Sequence, residues 1–378
     1  MRRILLVSSI LAGVMLCILL YSLKPEENLN RQTAKDQTLV IWTSSPTTVD
    51  IANEFQQEND HIEVVTRLVD DPQMLLEELS IAESAGQPPH IAEIPSFYGL
   101  SSLVDSGALV QVEQLLDEEL KENLVQSMEK RFTYDGKLWA IPLGYEIPLL
   151  YINENVVPKD KVGSTIIDIF TNGKWVQENN NNIWGMNSDT LYPWYMLNLL
   201  KEEGLEDTQV KESLWYKARD EYGLLPPYTD HLAITQFVNG KGGILLSTSR
   251  NIWLFEKLIG TKFKWSTSQF PIDPKNMIPN GNGLVVMKET ASEDVVSKFI
   301  SYILQDEELE EYAKKENLIP AYKKNIKSSA FLKEYRQYPG YQKAILDSLE
   351  AEGEYPSVRD DEVWEKLKKS DKNLMEQG

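Results

Sequence analysis

Between residues 38 and 94 short apolar runs alternate with helix-period segments, and that alternation constrains the fold more than any other feature of the chain. Thr38-Leu39-Val40-Ile41-Trp42, Ile62-Glu63-Val64-Val65 and His90-Ile91-Ala92-Glu93-Ile94 read as three strands. Val49, Ile51, Ala52 and Phe55 recur at helical spacing after the first, and Met74 to Ala85 supplies a helix after the second. The pattern predicts an α/β fold with a mostly parallel sheet covered by helices. Ligands of such sheets sit beyond the carboxyl ends of strands. There the chain places Trp42, Ser44 and Ser45, then Phe97 and Tyr98: aromatics beside small hydroxyls.

A second constraint lies between Phe132 and Asn153. Two strand-like runs, Leu138–Ile141 and Leu149–Ile152, flank Pro142-Leu143-Gly144-Tyr145-Glu146-Ile147-Pro148. Tyr134-Asp135-Gly136-Lys137 precedes the first run as a tight hairpin turn. Two prolines remove backbone donors, so the intervening piece is not expected inside a sheet. It reads either as a crossing between two lobes, with Tyr145 and Glu146 facing the cleft, or as an ordinary strand–loop–strand within one domain.

The 378 residues suffice for two lobes. Net charge is −20; residues 1–37 carry net +2, leaving −22 on the remainder, which argues against nucleic acid or an anionic surface as partner. Three histidines and the single Cys17 leave little for a metal site or a thiol nucleophile, and no cofactor is expected. Arg2-Arg3 precedes an apolar run from Ile4 to Leu23, long enough to span a bilayer with its arginines inside. No small-residue cleavage site ends the run, and Leu16 and Ile18 flank Cys17 poorly for lipidation. An uncleaved anchor on the outer face of the cell membrane is therefore expected, with a lipoprotein or a secreted form as alternatives.

Downstream, Tyr192 and Trp194 stand together at a helix entered at Pro193. Ser249 and Arg250 follow the strand Ile244-Leu245-Leu246 at another helix start, a place suited to holding a hydroxyl or an anion. Gly281-Asn282-Gly283 suggests a turn beside a ligand or at a lobe boundary. Any one of these aromatics alone reads equally as core. Together, aromatic faces for sugar rings and polar groups for their hydroxyls describe a polar small-molecule cleft. Glu93 and Glu146 offer an alternative, a glycosidase carboxylate pair. No G-x-S-x-G elbow, H-E-x-x-H, phosphate-binding loop or dinucleotide fingerprint is present.

Gly136-Lys137-Leu138-Trp139-Ala140-Ile141-Pro142 leading to Leu149-Leu150-Tyr151-Ile152-Asn153 resembles the D-G-K-x-Y-G-x-P … L-x-Y-N pattern of extracellular solute-binding proteins of bacterial ABC importers. The similarity is to family-1 carbohydrate binders, which include maltose-type and glycerol-3-phosphate-type proteins. Phe237-Val238-Asn239-Gly240-Lys241-Gly242-Gly243-Ile244 is similar to their F-x-x-G-K-A-A-M. Gly283 to Met287, Phe299 to Leu304 and Asn317-Leu318-Ile319-Pro320 follow in the family's order, so the resemblance covers roughly residues 38–365. It implies a monomer of two hinged lobes that close on a carbohydrate and deliver it to permease subunits. The implied division is an anchor and linker over 1–37, a first lobe over 38–143 and 269–310, and a second over 144–268 and 311–378. Tyr145 and Glu146 stand where glycerol-3-phosphate-type members carry serines, and a carboxylate there repels a phosphate diester. A neutral or partly cationic saccharide fits better, although Arg250, where maltose-type members often have tryptophan, leaves an acidic sugar open.

Overall fold

The computed structural model describes residues 37–158, 163–189, 194–205, 213–226, 233–288, 293–360 and 362. They form two α/β lobes, each built on its own sheet. In the first lobe β1 (Gln37–Thr43) pairs in parallel with β2 (Ile62–Leu68) and β3 (Ile91–Pro95). The hairpin β4 (Thr133–Tyr134) and β5 (Lys137–Leu138) turns at Asp135 and Gly136, with φ of 50° and 71°. Both positive values are those the Asp-Gly pair supplies. β6 (Ala140–Glu146) then leads out of the first sheet. β7 (Pro148–Asn153), β8 (Trp184–Ser188), β9 (Gly242–Thr248) and β10 (Trp265–Gln269) make the second sheet in the order β10-β7-β9-β8. β11 (Asn280–Val286) and β12 (Ile319–Pro320) return to the first, whose order is β12-β6-β11-β3-β1-β2.

The first sheet is mixed, not mostly parallel. β11 is antiparallel to both β3 and β6, and β12 is antiparallel to β6. The reason is the two-lobed path. β6 leaves at the carboxyl edge of the sheet, so the chain re-enters through that edge and β11 must run backwards.

Pro142 also departs from expectation, since it lies within β6 and every residue of that strand is buried. Opposite it the ladder slips: Gly283 faces Pro142 while Asn282 already faces Gly144. Leu143 is the extra residue of this bulge, and its carbonyl accepts from the Ala321 N–H at 3.1 Å. The missing proline donor thus falls where the ladder is already interrupted.

Only Ile147 separates β6 from β7. Its N–H donates to Ser249 Oγ at 3.1 Å and its carbonyl accepts from Ser249 N at 2.8 Å. The second crossing spans residues 270–279. The expected boundary at 143/144 lies inside β6. Residues 311–378 do not keep to one lobe: helix Asp306–Lys315 packs on β6 and β12, whereas helix Pro339–Ser348 packs on β10. The latter sits so close that a side chain at Gly340 would meet the Thr267 carbonyl oxygen at 2.0 Å. Beyond it the chain returns to the first lobe, where Asp360 pairs with Arg131 at 3.0 Å. Among the described residues no helix is long and apolar enough to cross a membrane; Ile4–Leu23 lies outside them.

Candidate functional site

The two sheets turn their loop-bearing edges toward each other, and a cavity of about 370 Å³ opens between them. The first wall begins where β1 ends. Thr43 Oγ1 accepts from Ser45 N at 2.9 Å, setting the turn that lets Ser45 cap helix Pro46–Glu58. Ser45 Oγ accepts from Thr48 N at 3.1 Å and donates to Glu316 Oε1 at 2.6 Å. Thr47 Oγ1 donates to the same oxygen at 2.7 Å. Glu316 is therefore held at a helix start, where an anion is favoured.

Behind this wall Glu93, 1% exposed, takes hydrogen bonds from Thr43 and Thr48 hydroxyls at 2.6 Å each, Tyr312 OH at 2.5 Å and Asn282 Nδ2 at 3.0 Å. Burial pushes its carboxyl above the ordinary range, the hydrogen bonds to Thr43, Thr48 and Tyr312 pull it back, and Glu316 adds a smaller push upward. Burial, then the neighbouring Glu93, pushes the Tyr312 phenol far up. Glu93 is enclosed and its donors are matched, so it does not face Glu146 across a substrate. The glycosidase pair is not formed.

The second wall is built on the ends of β8 and β9. Asp189 follows β8, its N–H bonded to Leu246 O at 2.9 Å. Its Oδ2 accepts from Ser247 Oγ and Asn251 Nδ2, both at 2.9 Å. Arg250, in the short turn after β9, sends Nη2 across the cavity to Glu316 Oε2 at 3.0 Å. Burial works against its charge, but Glu146, Glu316, Tyr312 and Glu93 outweigh it and raise its proton affinity. Between the walls Glu146, 4% exposed, closes the hinge side, with Oε1 accepting from Asn280 Nδ2 at 3.0 Å.

Of the residues singled out in the sequence, Ser44, Ser45, Glu146, Arg250 and Asn282 line this cavity. Ser249 is buried beside it and fastens Ile147. The aromatics are elsewhere. Tyr145 is fully buried, its OH paired with Ser348 Oγ at 2.7 Å, because side chains alternate along β6 and Glu146 takes the cavity side. Trp194 is fully buried in the second core, 6.5 Å from Phe97 between ring centroids. Phe97 in turn lies under the Arg131 guanidinium at 5.4 Å. Tyr98 is half-buried against both cores, and Trp42 is half-buried with the Arg67 guanidinium 4.6 Å above its ring. Tyr192 lies outside the described residues.

Asp70, Asp189, Thr248, Asn251 and Glu316 were missed as cavity residues. The first two had a signal, since they follow β2 and β8 as Ser44 follows β1. Glu316 had none: it caps the far end of a helix whose place against β6 is set by tertiary packing. Among the described residues no group of His, Cys, Asp and Glu is arranged to hold a metal ion.

A polar cavity between two sheet edges, spanned by a short hinge, is the geometry of a two-lobed binding protein, and the family model for bacterial extracellular solute-binding proteins matches residues 50–340. The chain belongs to this family. No curated protein matches the sequence. Several solved structures of solute-binding proteins share the fold at low identity. The maltose/maltodextrin-binding MalE domain of Bdellovibrio bacteriovorus, bound to maltotriose, superposes with TM-score 0.68 at 15% identity over 89% of this chain and 94% of that one. The GacH receptor of Streptomyces glaucescens, determined unliganded and with acarbose, gives 0.71 at 14% over 90% and 94%. UgpB of Mycobacterium tuberculosis with glycerophosphocholine gives 0.70 at 14% over 90% and 98%. In this solute-binding protein the Arg250–Glu316 pair occupies the space between the walls.

Proposed function

We propose that this solute-binding protein captures a carbohydrate between its lobes and delivers it to the permease subunits of an ABC importer, without turning it over. The observation that carries the reading is the cavity itself: hydroxyl, amide, carboxylate and guanidinium groups from two lobes converge on one space beside a one-residue hinge. Such convergent polar groups set orientation in small-molecule sites. The first lobe comprises the strands up to β6 with β11 and β12, the second β7 to β10 with helix Pro339–Ser348, and ligand closes one on the other by hinge motion. Similarity to proteins crystallised with maltotriose and acarbose supports a saccharide. The family is extracellular, and the apolar run Ile4–Leu23 supports tethering to the outer face of the membrane.

The test is a saccharide panel read for melting temperature and products together. A binder raises the melting temperature of the protein with saturation and yields no product. Product formation abolished by Glu146→Gln would reinstate the glycosidase; a panel with neither effect removes the carbohydrate reading. Deleting residues 1–37 should release the protein from membranes, and retention there would show that the tether lies elsewhere.

A further inference from the structure

The cavity carries four carboxylates, Asp70, Glu146, Asp189 and Glu316, against one guanidinium, Arg250, a net −3. Arg250 is already paired with Glu316 at 3.0 Å, and Glu316 also takes Ser45 and Thr47 hydroxyls. Asp189 has Ser247 and Asn251 donors. Glu146 is different. It is 96% enclosed, given its 4% exposure, and lines the cavity, yet among the described residues only Asn280 donates to it, on Oε1. Among those residues none donates to its Oε2, and Arg250 attracts it through space. Asp189 lines the same cavity.

Resting on the binding-protein reading, we propose that the ligand is a saccharide bearing a protonated amine, its ammonium seated on Glu146 Oε2 with Asp189 as the second carboxylate. An ammonium offers three donors and one positive charge. Closing the lobes over a neutral sugar strips water from Glu146 and leaves it only the Arg250 charge that Glu316 shares, which is costly. The remaining lining mixes the hydroxyl and amide residues Ser44, Thr248, Asn251 and Asn282 with the apolar Pro72, Ile234 and Leu254, the two kinds of surface that the hydroxyl edge and the C–H face of a sugar ring need. The strongly negative chain also draws a cation toward the cleft.

The probes are matched pairs differing only in ammonium groups: glucosamine and glucose, and galactosamine and galactose, which differ by one, and the glucosamine dimer and cellobiose, which differ by two. Spermidine is the non-sugar cation. Calorimetric titration of the full chain should show the aminated member of at least one pair binding about tenfold or more tighter than its parent, a gain typical of a buried charge-assisted bond. Glu146→Gln keeps the Asn280 bond and should erase that preference, so that the aminated and parent members of the pair bind with similar affinity. Asp189→Asn should reduce it, which guards against a poorly folding Glu146 variant. Equal or tighter binding of the parents overturns the ammonium but leaves the sugar-binding reading intact. Spermidine binding tighter than every amino sugar overturns the saccharide half. Absence of any aminated ligand overturns the proposal outright, and the wider panel then decides separately whether any sugar binds.

Discussion

The two walls of the cleft are both polar at the surface and differ in what stands behind them. Behind the first, Glu93 gathers four donors from β1, helix Pro46–Glu58, β11 and helix Asp306–Lys315 into one buried cluster. Behind the second, Trp194 packs with Phe97, Leu150 and Leu246 in an apolar core, with a polar outer layer of Asp189, Ser247 and Asn251 above it. The difference teaches how a cleft is made firm. A saturated polar cluster fixes directions, because each donor has one useful orientation; apolar packing fixes volume and leaves the polar layer above it free to vary.

The largest effect should come from the apolar backing. Trp194→Ala removes a fully buried side chain and is expected to cost about 3–5 kcal/mol in chemical unfolding, the range for large aromatic truncations. A loss below about 1 kcal/mol, with ligand affinity falling instead, would return Trp194 to the binding surface and erase the contrast between the walls.

Next comes the polar backing. Glu93→Ala strands three buried hydroxyls, of Thr43, Thr48 and Tyr312, and should cost about 3 kcal/mol. The pH dependence sharpens this. Burial raises the folded-state affinity of Glu93 for its proton above the ordinary value of 4.5. The contribution of the group is therefore complete below 4.5 and declines as pH rises through the raised folded value. Glu93→Gln should flatten that decline across the weakly acidic range. An unchanged pH profile in Glu93→Gln would show that the cluster holds an ordinary carboxylate.

The smallest effect on stability belongs to the pair that joins the walls. The Arg250 side chain is 41% exposed, so Arg250→Ala should cost at most about 1 kcal/mol. Its larger signature is shape: without ligand the lobes should open about fivefold more often, the population shift that such an energy allows. Small-angle scattering should show an increased radius of gyration in the ligand-free variant. An unchanged radius would mean that the hinge and Tyr145–Ser348, not Arg250–Glu316, hold the lobes together.

Much of the fold was legible in the residues because local patterns carry it. The apolar runs at Leu39–Ile41 and Ile91–Ile94 became β1 and β3, Ser45 capped its helix, and the Asp135-Gly136 turn took the positive φ values that pair favours. The strand-end rule pointed to Ser44 and Ser45, the crossing between lobes to Glu146, and the helix start after β9 to Arg250, and all four line one cavity; Asn282, expected in a turn, lines it from within β11. What the sequence left undecided was which face of an element points inward. Tyr145 and Glu146 are neighbours on β6, and only the pairing of that strand with β11 and β12 sends one into the core and the other to the cavity. Pro142 was placed outside a sheet by its missing donor, but a bulge made by residues more than a hundred positions away accommodates it. Glu316 entered the site through the docking of a helix, a contact that no local pattern encodes. Local chemistry determined the elements and their ends; the packing of two sheets edge to edge decided which of those ends became a binding site.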